Sequence, residues 1–138
     1  MKRVALAATI LLGAMSLSTH AQGTPFSIVE TSLADMRSAL DAKQVTSEEL
    51  VLQSLARIAT YEDLLHAALH VNRHALDEAR ERDRERAAGR IRGPLHGIPV
   101  AVKDNIHTTD MPTTGGALAF TGFVPPYEAT LVSHLKAA

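Results

Sequence analysis

Gly93-Pro94-Leu95-His96-Gly97-Ile98-Pro99-Val100-Ala101-Val102-Lys103-Asp104-Asn105-Ile106 is the stretch on which the fold reading turns. It passes from a Gly/Pro turn into a short apolar run and ends on charged and amide side chains. Pro99 has no backbone N–H to donate, so it fits the start or edge of a strand and marks where pairing begins. An uninterrupted run such as Val100-Ala101-Val102 suits a strand covered on both faces, the usual situation in an α/β sheet. Ligand sites in open α/β sheets gather at the carboxyl ends of strands, and Lys103 lies at that end. From spacing alone, a lysine there also fits a side chain that reaches out to water or pairs with Asp104.

Beyond this stretch, Thr108 to Pro126 is rich in Thr, Gly and Pro and reads as a loop, with Gly115-Gly116 its most permissive point. A last helix is expected from Tyr127, with Leu131, Val132 and Leu135 as its apolar face. That pattern runs to Ala138 without a Gly or polar stop, which leads us to expect that the natural unit continues.

Toward the amino terminus the periodicity turns helical. Leu33, Met36, Ala39 and Leu40 recur at three- and four-residue intervals and predict a short helix ending near Ala42. Thr46 with Glu49 has the form of a capping box ahead of Leu50, Val51, Leu55 and Ile58, predicting a second helix to about Tyr61. Ala67 to Val71 is short and apolar, fitting a buried strand, and Asn72 is placed to cap a third helix through Ala75, Leu76 and Ala79. From Asp77 to Arg92 acids and arginines alternate at helical spacing. A solvated face explains this better than a nucleic-acid patch, because the acids cancel the field phosphates need. Gly89 is the expected helix stop.

Composition sets outer limits. The 138 residues carry 14 basic and 15 acidic side chains and no cysteine. Disulfides, thiolate metal sites and a cysteine nucleophile are therefore excluded, and the balanced charge offers nucleic acid no net attraction. Residues 1–21 read as a signal peptide: Lys2 and Arg3, an apolar run from Val4 to Leu17, then Thr19-His20-Ala21 as a cleavage site. The run is short for a bilayer needing about 20 apolar residues, so no stable membrane span is expected after cleavage. The expectation is an exported protein, periplasmic or secreted, whose mature part is one unit over residues 22–138.

Other side chains offer less. His66, His70 and His74 are four apart, as ligands stacked on one helix face would be, but Ala67 to Val71 reads as a strand and no carboxylate or cysteine completes a shell; no metal is expected. His96 and His107 suit capping of backbone groups, having no partner nucleophile in view. Ser38, Ser47, Ser54 and Ser133 fall in helical segments without the sharp Gly-flanked turn that exposes a nucleophile, and read as structural.

The 93–106 stretch, followed by Asp110-Met111-Pro112-Thr113-Thr114-Gly115-Gly116 and by Pro125-Pro126-Tyr127-Glu128-Ala129-Thr130-Leu131, resembles the amino-terminal part of the amidase signature family. The helices from Leu33 to Ala88 are similar to that family's opening helices. The resemblance implies an α/β/α fold around a mixed sheet and hydrolysis of a linear carboxamide, in a small molecule or peptide, by a Ser, cis-Ser, Lys triad without metal or organic cofactor. Lys103 matches the lysine, which acts through the bridging serine as general base on the nucleophilic serine. A lysine base must be neutral part of the time, so its pKa must fall from about 10.4 toward 7 or 8, which takes burial. The Gly/Ser-rich segment that carries both serines does not occur in residues 1–138. The resemblance therefore covers an incomplete, inactive portion of the domain. Gly122-Phe123-Val124-Pro125 through Thr130 also resembles the glutaminase subunit of a tRNA-dependent amidotransferase, against which the export signal argues. A different class of reading is a small exported binding protein using the Thr108 to Pro126 loop as its contact surface.

Overall fold

The capping box at Thr46 forms as the sequence predicts. In a computed structural model, which describes residues 25–138, Glu49 N–H donates to the Thr46 hydroxyl at 3.1 Å and Thr46 N–H donates to the Glu49 carboxylate at 2.7 Å. The signal peptide and cleavage site expected over residues 1–21 lie outside the described residues. Four α-helices follow one another: α1 (Leu33–Asp41), α2 (Ser47–Leu65), α3 (Ala75–Ala87) and α4 (Thr130–Ala137), with one 3-10 turn at Leu118–Phe120. None of the described helices is long and apolar enough to cross a membrane.

Each helix has a local reason for its limits. Ser32 caps α1 by accepting the Asp35 N–H at 3.1 Å. α2 runs past Tyr61 to Leu65 and stops where His66 turns left-handed, at φ 49°. α3 ends as Gly89 was expected to end it. Gly89 has φ 72°, its N–H bonds to Arg86 O and Arg90 N–H bonds to Glu85 O, a Schellman motif that satisfies the last carbonyls. Asn72 does not cap α3. Its side chain accepts the His74 N–H at 2.8 Å and so shapes the turn before the helix.

α2 packs against α3. The core is small, formed by Ala39, Leu40, Val45, Leu50 and Ile98, with Phe26, Ile28 and Met36 packed against it. Ile98 brings the 93–106 stretch into this core, so the stretch is anchored from its turn rather than from a sheet. The amide of Gln53 holds the amino-terminal segment in place, taking the Ile28 N–H and donating to Phe26 O, both at 3.0 Å.

Two expected strands, Ala67 to Val71 and Val100 to Val102, are not formed among the described residues. A strand requires a backbone ladder, and a ladder needs a second segment at the right spacing. No other described segment lies alongside Val100-Ala101-Val102 to form one. Val100 is correspondingly half exposed. α4 starts at Thr130 rather than Tyr127, because Ala129 has an extended backbone, at φ −64° and ψ 142°, and gives its N–H to His107 O.

Candidate functional site

Lys103 directly follows the Val100–Val102 run and is exposed. The pairing with Asp104 that spacing allows does not form, and none of the ion pairs among the described residues includes Lys103. Its carbonyl closes a tight turn by accepting Ile106 N–H at 2.9 Å. Residues 25–138 therefore fix the backbone at Lys103 and leave its ammonium in water.

Asp104 is engaged elsewhere. Its Oδ1 accepts Thr114 N–H at 3.0 Å, and its Oδ2 accepts both the Thr114 hydroxyl and Gly116 N–H, the latter at 3.3 Å. Its carbonyl accepts Gly115 N–H at 2.9 Å. The Thr114 hydroxyl bond, then the Thr114 N–H, hold the Asp104 carboxyl below the usual carboxylate range; burial opposes this and the nearby His70 assists it. Sequence reasoning offered Asp104 only as a partner for Lys103, and the local signal for its actual role was a Thr-Thr-Gly-Gly turn rich in free donors downstream.

His96 is in the core and is chemically occupied. It is 2% exposed, its Nδ1 accepts Arg92 N–H at 3.2 Å, and its Nε2 faces Arg82 O at 2.9 Å. A carbonyl can only accept and an N–H can only donate, so these partners assign the proton to Nε2. With both nitrogens used, the ring caps backbone groups, as its place in the sequence allowed. His107 instead packs edge-on against Phe123 and tilted against Tyr127. His66, His70 and His74 end on different elements: His66 closes α2, His70 lies in the link, and His74 precedes α3. Among the described residues no three His, Asp or Glu side chains gather as a metal site would require.

The arginines of α3 are mostly paired. Arg80 meets Glu48, Arg84 meets Glu81, Arg86 meets Asp41, and Glu85 takes both Arg82 and a bidentate Arg92. Ser38 and Ser54 donate to carbonyls of the preceding helical turn, as expected of structural serines. Ser47 is fully buried with its hydroxyl unpartnered, pressed against Gly97.

An open cleft of about 430 Å³ lies between α3, α4 and the 95–102 stretch. Leu95, Ile98, Val100, Val102, Val132 and Leu135 make it apolar, and Arg82, Arg92 and Lys136 stand on its walls. Val102 reaches it and Lys103 does not. Among the described residues that line it, no nucleophile–base pair is present.

A family model described as Amidase matches residues 49–138. A glutamyl-tRNA(Gln) amidotransferase subunit from Rhodopirellula baltica is 44% identical over 108 residues, which cover 78% of this chain and 22% of that protein. The corresponding amidotransferase subunit from Chloroflexus aurantiacus is 46% identical over 103 residues, covering 74% of this chain and 21% of its own. Among solved structures, native peptide amidase from Stenotrophomonas maltophilia superposes with a TM-score of 0.75 at 45% identity, covering 78% of this chain and 23% of that one. The chain spans less than a quarter of the length of these relatives.

Proposed function

The chain belongs to the amidase family, and on that premise we propose that it supplies the lysine end of an exported amide hydrolase, with Lys103 as the general base. The observation that carries this reading is the placement of Lys103. It directly follows the apolar run Val100–Val102, which forms no backbone hydrogen bonds with another described segment, and the Lys103–Ile106 bond turns the chain at once. In the complete enzyme Val100-Ala101-Val102 pairs as a strand of the mixed sheet, and the cover this brings desolvates the ammonium next to it.

The reaction needs a base that takes the proton of a serine hydroxyl, directly or through a second serine, as the hydroxyl oxygen attacks the amide carbon. The proton is then delivered to the leaving amine. Water repeats the sequence to release the acid. Lys103 with two serines can perform every proton transfer in this cycle, and backbone N–H groups can hold the oxyanion. Residues 1–138 contain the lysine and not the Gly/Ser-rich segment, so activity belongs to a chain that has both.

The substrate class is a linear carboxamide, in keeping with the peptide amidase likeness and with the export signal expected in residues 1–21. A second reading, the glutaminase subunit of a tRNA-dependent amidotransferase, is favoured by the amidotransferase relatives. Labelling of the full-length gene product with a serine-directed fluorophosphonate tests the shared chemistry. Covalent labelling that is lost on Lys103→Ala is expected. A full-length product that stays unlabelled overturns the triad reading.

A further inference from the structure

The bonds around Asp104 have a pattern that a merely solvated aspartate lacks. Three consecutive residues, Thr114 to Gly116, give it four donors: two backbone N–H groups and one hydroxyl to the carboxylate, and one N–H to its carbonyl. Gly115 and Gly116 both have positive φ, 58° and 76°, and a Cβ built on either would meet nothing within 4 Å. Glycine is therefore needed here for backbone conformation and not for space, and that conformation is what turns successive N–H groups onto one carboxylate. The loop is also closed behind the turn, Thr113 N–H bonding to Phe123 O at 2.9 Å with Thr113 itself buried. The result is a single unit in which the loop's tightest turn is fastened to the residue next to Lys103.

We infer that Asp104 is a positioning residue, which fixes the backbone of Lys103 against the Thr114–Gly116 turn and commits its own carboxylate to that turn instead of to the adjacent ammonium. The inference rests on the reading of Lys103 as the base. A carboxylate one residue away is the nearest potential ion-pair partner for Lys103, and an ion-paired lysine is held in its charged form, useless for taking a proton. Thr114 and Gly116 engage three of the four acceptor sites of that carboxylate and hold it turned to the loop. The same bonds make the 108–126 loop a fixed wall beside the base, because a misplacement of about 1 Å at a reacting group costs about a hundredfold in rate.

The test uses the full-length gene product and whichever of a short peptide carboxamide and glutamine it turns over. Asp104→Asn and Thr114→Val each remove part of the clamp, and Thr114→Ser keeps the hydroxyl. Both disruptive variants are expected to lower kcat at least tenfold with KM changed less than about threefold, while Thr114→Ser keeps wild-type kcat. Should Asp104→Asn fail to fold, the Thr114 pair decides alone, since it differs from wild type by a methyl or a hydroxyl. Wild-type kcat in Thr114→Val overturns the positioning role, as does an equal loss in Thr114→Ser. Lys103→Ala separates the two levels of the claim. If it retains turnover, the base reading falls and this inference with it; if it abolishes turnover while the clamp variants are unaffected, only the positioning role falls.

Discussion

Asp83 on α3 accepts the backbone N–H of Ser47 at 2.8 Å, and its second oxygen accepts that of Glu48 at 3.0 Å, so α3 caps the helix before it across 36 residues of chain. A negative charge at a helix amino terminus satisfies free donors and opposes the helix dipole favourably. Asp83→Ala is expected to destabilise the chain by about 1–2 kcal/mol, and Asp83→Asn by less. Urea unfolding measures this, and hydrogen exchange at the Ser47 and Glu48 amides locates it. Unchanged exchange at both would rule the cap out.

Gly97 lies against Ser47 with no room for a side chain. A Cβ there would come within 2.1 Å of the Ser47 hydroxyl, and φ is 81°. Gly97→Ala therefore carries both overpacking and backbone strain, about 1–3 kcal/mol together. Adding Ser47→Ala removes the nearest clashing atom and leaves the strain, so the double variant is expected to recover part of the loss. A double variant no more stable than Gly97→Ala alone would show that the contact is not the cause.

His96 is satisfied on both nitrogens inside the core. Replacing it with Phe keeps the bulk and strands the Arg92 N–H, while the Arg82 carbonyl, inside α3, keeps its helical partner, so the expected cost is about 1–3 kcal/mol. Thermal unfolding of His96→Phe should show that loss. Near-wild-type stability would mean that the imidazole is not needed as a cap.

Lys136 ties α4 to the 108–110 segment through Asp110, at 3.0 Å, and through Glu128. Burial works against the charged forms of Asp110 and Lys136, but the hydrogen bonds between them outweigh it, while Glu128 is lowered chiefly by its bond from Lys136. The two carboxyls lie below their ordinary 3.8 and 4.5, and Lys136 above its ordinary 10.5. Depressed carboxylates stabilise the fold fully above their unfolded values and lose that contribution as pH falls through the folded ones; the Lys136 contribution is lost only as pH rises through its raised value. Lys136→Met should thus lower the unfolding midpoint at pH 7, and the gap to wild type should close toward pH 3. A gap that persists unchanged at pH 3 would contradict the ion-pair account.

What could be read from sequence was what is local. The Thr46–Glu49 box, the Gly89 stop and, with Leu33 left exposed, the apolar faces of α1 and α2 each depend on residues within a few positions of one another, and each formed. The strand at Val100–Val102 did not form, because a strand is completed by a distant partner and the apolar run encodes only readiness for one. For the same reason Asp83 and Asp104 were invisible as organisers, their partners lying 10 to 36 residues away. At the candidate site, the motif offers Lys103 as a candidate, whereas the disengagement of Asp104 from it depends on Thr114 and could be found only in three dimensions.

The central claim is tested most directly by ammonia or amine release from a peptide carboxamide and from glutamine, comparing the full-length gene product with its Lys103→Ala variant. Loss of general base catalysis predicts a fall in turnover of about a hundredfold to ten-thousandfold with the fold retained. Turnover at the wild-type rate in a folded Lys103→Ala protein would contradict the account.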